Sequence, residues 1–161
     1  IGYVIAGWDV MSRLLALKTD AGTPALEQMV LAEYCAKHFD THVAKLNKVL
    51  EDKAKTLMDA LAEQFGTAAE FERPRGGIFL WVKLPEQVDT MKLFQVAAKH
   101  GIALNPGPEW SIEQKRAPRQ LRLCYANPSK ETIRAGVAAL AEVCHREMGV
   151  PTRIANVARK G

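Results

Sequence analysis

The chain has 161 residues, of which 48% are hydrophobic and 25% are charged, and its formal net charge is +4. This composition is typical of a globular chain with a buried core, and it disfavours a disordered or membrane-spanning chain. The excess of basic residues is small and forms no stripe interleaved with aromatic residues, so we expect neither a nucleic-acid nor a membrane partner. Cys35, Cys124 and Cys144 lack a CxxC spacing, which disfavours a metal site and a disulfide framework and indicates a reducing, cytoplasmic compartment.

The first residues predict a strand and then a helix. Residues 1–7, IGYVIAG, have the composition of a short buried strand that ends at Gly7. Residues 8–19 predict a helix with Asp9 as a plausible N-cap. Because the sequence begins abruptly with Ile1 in strand-like sequence, we expect the chain to be a piece of a longer protein.

A long helical region follows a break in the chain. Thr23 can cap this region, with Pro24 at the first helical position. The helix is predicted to run to about Phe65, and Asp40 or Thr41 could interrupt it by starting a second helix. Apolar residues at helical spacing predict one buried stripe in its second half, formed by Val43, Leu46, Leu50, Leu57, Leu61 and Phe65.

The remaining sequence predicts a small sheet with helices packed on it. Residues 76–85, GGIFLWVKLP, predict a strand that is buried on both faces. Four elements are predicted after it: a helix over residues 89–101 capped by Asp89, a short strand from Ile102 into a Pro/Gly loop, a strand over residues 119–126, and a helix capped by Ser129. This order of elements predicts an α/β fold class with a small α+β domain.

Arg122 is the first candidate for a binding site, because it lies within the apolar strand QLRLCY. A guanidinium in such surroundings needs a partner, since an unpaired buried charge is costly and arginine does not readily lose its proton. A structural ion pair with an Asp or Glu and a ligand carboxylate are about equally compatible with the sequence. Asn127 and Pro128 end the strand where sites commonly form, which favours the ligand slightly.

Two glycine-containing segments are further candidates. Gly76 and Gly77 precede a strand, which indicates either a plain turn or a close approach of a ligand or another backbone. Pro106 and Gly107 likewise indicate either a plain turn or a close approach of a ligand or another backbone. The sequence contains no GxSxG, P-loop or GxGxxG motif and no nucleophile–base pair, so we expect the chain to bind part of a substrate without performing the chemistry.

In order along the chain, the stretches IGYVIAG, RPRGGIFLWVKLP, IALNPGPEW and LRLCYANPS resemble the C-terminal part of fold-type I pyridoxal-phosphate aminotransferases of class I/II. The resemblance covers residues 1–148 and is strongest to 2-aminoadipate and kynurenine aminotransferases and to the aminotransferase-like half of MocR-type regulators. It implies the fold-type I transferase architecture, pyridoxal 5'-phosphate as cofactor of the full-length protein, an amino acid and a 2-oxo acid as small-molecule substrates, and a homodimer acting in cytoplasmic amino-acid metabolism.

The resemblance also implies roles for single residues. The arginine of the LRL strand, here Arg122, is expected to bind the substrate α-carboxylate and so to orient the substrate. Gly76 and Gly77 would lie beside the substrate, and Asn105 would begin the loop that walls the pocket. Thr23 is expected to reach towards the cofactor phosphate of a partner subunit.

The family's Schiff-base lysine, in a run like SxxK, has no counterpart in this sequence. The chain is therefore expected to be inactive by itself and to hold no cofactor covalently. The resemblance implies four parts: a remnant of the large cofactor-binding domain (1–22), a long helical connection (23–65), a small C-terminal α/β domain (66–149) and a flexible tail (150–161). Two alternatives remain open, the ligand-sensing half of a MocR-type transcription regulator and a small stand-alone α/β binding module.

Overall fold

The structure is a computed structural model that describes residues 1–20, 22–112, 115 and 117–152. Its helices and strands are α1 (Trp8–Leu17), α2 (Ala25–Phe65), β1 (Phe79–Lys83), α3 (Thr90–Lys99), β2 (Asn105–Pro106), β3 (Gln120–Cys124) and α4 (Lys130–Met148). Short 3₁₀ turns lie at Gly66–Ala68, Gly107–Glu109 and Ala117–Arg119. The chain divides into two compact units, Ile1–Lys45 and Leu46–Gly161.

The first unit departs from the sequence prediction at its start. Residues 1–7 are exposed and form no strand, so the predicted buried strand is wrong. A strand requires hydrogen-bonded neighbours, and none of the described strands pairs with this segment. The predicted N-cap is also wrong, because Gly7 caps α1 and its carbonyl oxygen accepts from Val10 N (3.1 Å) and Met11 N (2.9 Å). Asp9 lies in the first turn instead, where its negative charge favours the helix N-terminus.

Helix α2 is continuous over Ala25–Phe65, so the predicted interruption near Asp40 does not occur. It begins one residue after Pro24, and the side chain of Gln28 donates to the carbonyl oxygen of Thr23 at 3.0 Å. The buried residues of this helix all lie towards its C-terminal end, and they are Ala54, Thr56, Leu57, Ala60, Leu61 and Phe65. The predicted apolar stripe is therefore buried in its second half, whereas Leu46 remains exposed.

The sheet has three antiparallel strands in the order β1-β3-β2. Side chains alternate between its two faces, and the face that carries Leu80, Val82 and Leu121 belongs to the hydrophobic core. The prediction that β1 is buried on both faces is wrong, because Trp81 on the other face is 39% exposed. The ammonium of Lys83, on that same face, forms an ion pair with Glu70 at 2.6 Å.

The helices that pack on this core have the predicted caps. Asp89 accepts hydrogen bonds from the backbone N–H groups of Met91 and Lys92 at the start of α3, and Ser129 accepts one from Thr132 at the start of α4. Helix α4 is capped at its C-terminus by Gly149, which has a φ of +65°. The predicted fold class, a small sheet with helices packed on it, is confirmed.

The end of the described chain is buried. Val150 is 0% exposed and Thr152 is 2% exposed, so the packed unit extends past Gly149. The rest of the predicted tail, residues 153–161, lies outside the described residues. None of the described helices is long and apolar enough to cross a membrane, and no group of three metal-binding side chains occurs among the described residues.

Candidate functional site

Arg122 lies at the centre of the sheet. It is the middle residue of β3, and it pairs with Trp81 on β1 and with Asn105 on β2. Directly opposed residues share a face in an antiparallel sheet, so these residues form one row across the face opposite the core. The structure thus brings two of the predicted site residues, Arg122 and Asn105, into direct register.

The guanidinium of Arg122 is stacked between two aromatic rings. Its Cζ lies 3.9 Å from the ring centroid of Phe79 and 3.6 Å from that of Trp110. Stacking of this kind stabilises the cation, and it uses none of the in-plane N–H groups as hydrogen-bond donors. The rings were missed in the sequence as site residues, because alternation separates the two faces of a single strand but does not show which face it shares with Arg122; the pairing of β1 with β3 shows this.

The hydrogen-bonding capacity of Arg122 is not used by the described residues. Its Nε is buried and has no hydrogen-bond partner. Within the described ranges, none of the ion pairs includes Arg122, so a structural ion pair finds no support there. A planar guanidinium with unpaired in-plane donors matches the geometry of a carboxylate.

Trp110 is positioned by the 3₁₀ turn that follows β2. Its backbone N–H donates to the carbonyl oxygen of Gly107 at 3.0 Å. Gly107 is buried, and a Cβ atom added there would lie 2.3 Å from the carbonyl oxygen of Ala117 and 2.5 Å from that of Gln120. Only a glycine lets this turn approach the start of β3 so closely, and that approach places Trp110 over Arg122.

Gly76 and Gly77 form an exposed turn before β1. Gly77 has a φ of +83°, which favours glycine, and neither glycine has a neighbouring atom within 4 Å of an added Cβ. The hydroxyl of buried Tyr125 donates to the carbonyl oxygen of Gly77 at 2.8 Å, which ties the turn to the end of β3. Burial and the neighbouring Cys124 raise the pKa of Tyr125, so this hydroxyl remains a donor. The two glycines also line a cavity of about 640 Å³.

Helix α2 holds the connection between β3 and α4. The ammonium of Lys53 donates to the carbonyl oxygen of Ala126 at 2.7 Å. One residue earlier in α2, Asp52 forms an ion pair with Lys130 at 2.7 Å, and this contact lowers the pKa of the Asp52 carboxyl. These contacts join distant parts of the sequence, so local patterns gave no signal for them.

Thr23, the remaining predicted site residue, belongs to the other unit, Ile1–Lys45. It is exposed, and its carbonyl oxygen accepts a hydrogen bond from the Gln28 side chain. Its expected role towards a partner subunit stays a prediction.

Comparison with known proteins gives the family. Residues 1–140 match the sequence model of the family described as aminotransferase class I and II. The chain belongs to this family, whose members use pyridoxal phosphate. The resemblance to the C-terminal part of aminoadipate and kynurenine aminotransferases and of MocR-type regulators is thereby confirmed.

Both kinds of relative occur among curated proteins. The chain is 28% identical over 142 residues to a 2-aminoadipate transaminase of Thermus thermophilus, covering 87% of this chain and 36% of that protein. It is 32% identical over 138 residues to the HTH-type transcriptional regulator NorG of Staphylococcus aureus, covering 83% of this chain and 30% of that protein. The chain therefore spans about a third of the length of these relatives.

A solved structure has the same fold over most of the chain. The crystal structure of LysN, an alpha-aminoadipate aminotransferase from Thermus thermophilus, matches with a TM-score of 0.69 and 29% sequence identity. The match covers 86% of this chain and 36% of LysN, which was complexed with N-(5'-phosphopyridoxyl)-L-leucine.

Proposed function

We propose that this chain is the C-terminal part of a pyridoxal-phosphate-dependent aminotransferase and that Arg122 binds the α-carboxylate of its amino-acid and 2-oxo-acid substrates. The observation that carries this proposal is the stacked guanidinium with a buried, unpartnered Nε. Paired N–H···O contacts from Arg122 to a carboxylate would hold the substrate in one orientation, which is a large part of what a transferase must supply.

The described residues fit the substrate carboxylate and not the cofactor itself. The side chains stacked against the Arg122 guanidinium are the aromatic rings of Phe79 and Trp110, and neither can bond covalently to a cofactor aldehyde. Lys53 and Lys130 are engaged by Ala126 and Asp52. In such a protein the cofactor serves as the electron sink for amino-group transfer. The role we assign to this chain is to bind and orient the carboxylate end of the substrate.

We extend the proposal to the organisation of the whole protein. Residues 1–22 would belong to the large domain, residues 23–65 to the connecting helix and residues 66–149 to the small domain, on which Val150 and Thr152 also pack. Gly76, Gly77 and Asn105 would border the substrate, and Thr23 would face the cofactor phosphate of the second subunit of a cytoplasmic homodimer. The exposed apolar residues of the first unit, which include Tyr3, Ile5 and Trp8, are consistent with burial in a larger assembly.

A regulatory function is the second candidate, and the similarity to NorG favours it. In a regulator of this type, Arg122 would bind the carboxylate of an effector instead of a substrate. The coding sequence on either side of this chain separates the alternatives. A large domain with a cofactor-binding lysine and no DNA-binding segment supports the enzyme, a winged helix before that domain supports the regulator, and an independent small open reading frame contradicts both.

The carboxylate role is tested by replacing Arg122 in the whole protein. Arg122→Ala removes charge-assisted hydrogen bonds worth about 1.5–3 kcal/mol each, so kcat/KM for amino acids should fall by at least about 100-fold. Arg122→Lys should recover only part of this loss, because an ammonium cannot form the planar fork. Arg134→Ala removes an exposed arginine from α4 and provides a charge-matched control. Unchanged kinetics in a folded Arg122→Ala protein would make Arg122 a structural residue.

A further inference from the structure

The structure assigns Phe79 and Trp110 as positioning residues: we propose that their rings clamp the Arg122 guanidinium so that a carboxylate can bind only in the guanidinium plane. This inference deepens the proposed function, since it rests on Arg122 as the carboxylate-binding residue. It adds two residues that act through Arg122 and a restriction on the direction of approach.

The clamp follows from the two stacking distances. With ring centroids 3.9 Å and 3.6 Å from Cζ, Phe79 and Trp110 cannot share one face of the guanidinium, so they cover opposite faces. All five N–H donors of an arginine point outwards in the plane of the guanidinium. Covering both faces therefore excludes water from above and below, and it leaves the edges as the sites where a ligand can bind.

The two rings are anchored differently. Phe79 lies in β1, where it pairs with Cys124 on the same strand that carries Arg122, so its distance from Arg122 is set by the sheet. Trp110 follows the turn held by Gly107, and it is 51% exposed. Phe79 is thus the fixed wall of the clamp, and Trp110 is the wall whose replacement disturbs the sheet least.

The clamp contributes by ordering Arg122 before a ligand arrives. An arginine side chain has many rotamers, and immobilising one on binding lowers affinity. Stacking restricts Arg122 beforehand and stabilises its charge, so less freedom is lost when a carboxylate binds in the guanidinium plane. Loss of one aromatic ring should therefore weaken carboxylate binding about tenfold, while groups that act on other parts of the substrate are unaffected.

The chain offers matched variants for the test. Trp110→Leu removes the aromatic ring, whereas Trp110→Phe keeps an aromatic face. Phe79→Leu and Phe79→Tyr form the corresponding pair on the other wall. Trp81→Leu is the control, because Trp81 pairs with Arg122 across the sheet but is not one of the stacked rings.

In the whole protein, Trp110→Leu and Phe79→Leu should raise KM for both the amino acid and the 2-oxo acid about tenfold with little change in kcat. Trp110→Phe, Phe79→Tyr and Trp81→Leu should remain close to the unmodified protein. A second readout is the NMR signal of the Arg122 Nε–H group, whose chemical shift contains a ring-current contribution from the stacked rings. Trp110→Leu should reduce this contribution, both before and during titration with pyruvate. This resonance reports on the clamp without requiring catalysis.

The outcomes separate the clamp from the proposed function. If Arg122→Ala leaves KM unchanged, the carboxylate role itself is wrong. If Arg122→Ala raises KM but folded Trp110→Leu and Phe79→Leu do not, Arg122 binds the carboxylate and the clamp is refuted. Equal losses in Trp110→Leu and Trp110→Phe would also refute it, because the effect would then depend on the shape of tryptophan and not on an aromatic face.

Discussion

Gly107→Ala should destabilise the protein and displace Trp110 at the same time. The φ of Gly107 is not in the left-handed region, so an alanine meets no backbone restriction there. The obstacle is space, because the new Cβ would lie 2.3 Å from the carbonyl oxygen of Ala117 and 2.5 Å from that of Gln120. Ordinary contacts of this kind begin at 3.4 Å, so the turn must move away from β3 by about 1 Å.

The expected loss of stability is near the upper end for an added methyl group. Overpacking a core typically costs 1–3 kcal/mol, and backbone oxygens cannot rotate away as a flexible side chain can. We therefore expect a loss of about 3 kcal/mol in the free energy of unfolding. For a chain of this length, 1 kcal/mol corresponds to about 2–4 °C, so Tm should fall by roughly 6–12 °C.

Urea and thermal unfolding followed by circular dichroism measure this effect. Gly136→Ala is a matched control, because Gly136 lies within α4 and an added Cβ meets no atom within 4 Å. That substitution should stabilise the protein by about 0.5–1 kcal/mol, since alanine is a better helix former than glycine. If Gly107→Ala unfolds at the same temperature as the unmodified protein, the close approach that we infer to position Trp110 is wrong.

Two further predictions concern titratable groups. Burial raises the pKa of Cys144 to about 12. Iodoacetamide at about pH 8 should therefore label exposed Cys124 but not Cys144 in the folded protein. Labelling is measured by mass spectrometry, and labelling of both cysteines would contradict the buried position of Cys144. The hydrogen bond and charge of Lys130 lower the pKa of Asp52, so their stabilising effect is present above the ordinary carboxyl titration range and is lost as the pH falls through the lowered pKa. Lys130→Met should return the Asp52 pKa towards its ordinary value in an NMR titration, and an unchanged pKa would show that the ion pair does not form.

The sequence predicts the elements whose causes are local. The caps of α3 and α4 at Asp89 and Ser129 depend on side chains that bond to backbone groups within three residues, and both were predicted correctly. Residues 1–7 were predicted wrongly because strand formation depends on a partner strand, which the apolar pattern of a segment does not reveal. Burial of both faces of β1 was wrong for a similar reason, since the pattern shows which side chains share a face but not what covers that face.

The candidate site also combines a feature that the local sequence predicts with one that depends on distant parts of the chain. The alternation along β3 singles out Arg122 as a charged residue in an apolar strand, and the structure leaves its Nε without a partner. Trp110 could not be placed over it from the sequence, because its position depends on Gly107 packing against Ala117 and Gln120. The roles of Gly76, Gly77, Asn105 and Thr23 towards a substrate or cofactor stay predictions.

The arrangement of β3 explains how enzymes and regulators can share this part of the fold. Leu121 and Tyr125 are 0% and 2% exposed and belong to the core, while Arg122 lies on the opposite face. If Arg122 binds a carboxylate as we propose, folding and carboxylate recognition would depend on alternate residues of this segment, and neither would require the groups that perform amino-group transfer. In an aminotransferase, loss of Arg122 would raise KM, whereas in a regulator it would weaken the response to an effector. Since the same contact would serve both, the turnover number and DNA binding of the whole protein distinguish the two functions, and the affinity of Arg122 for a carboxylate does not.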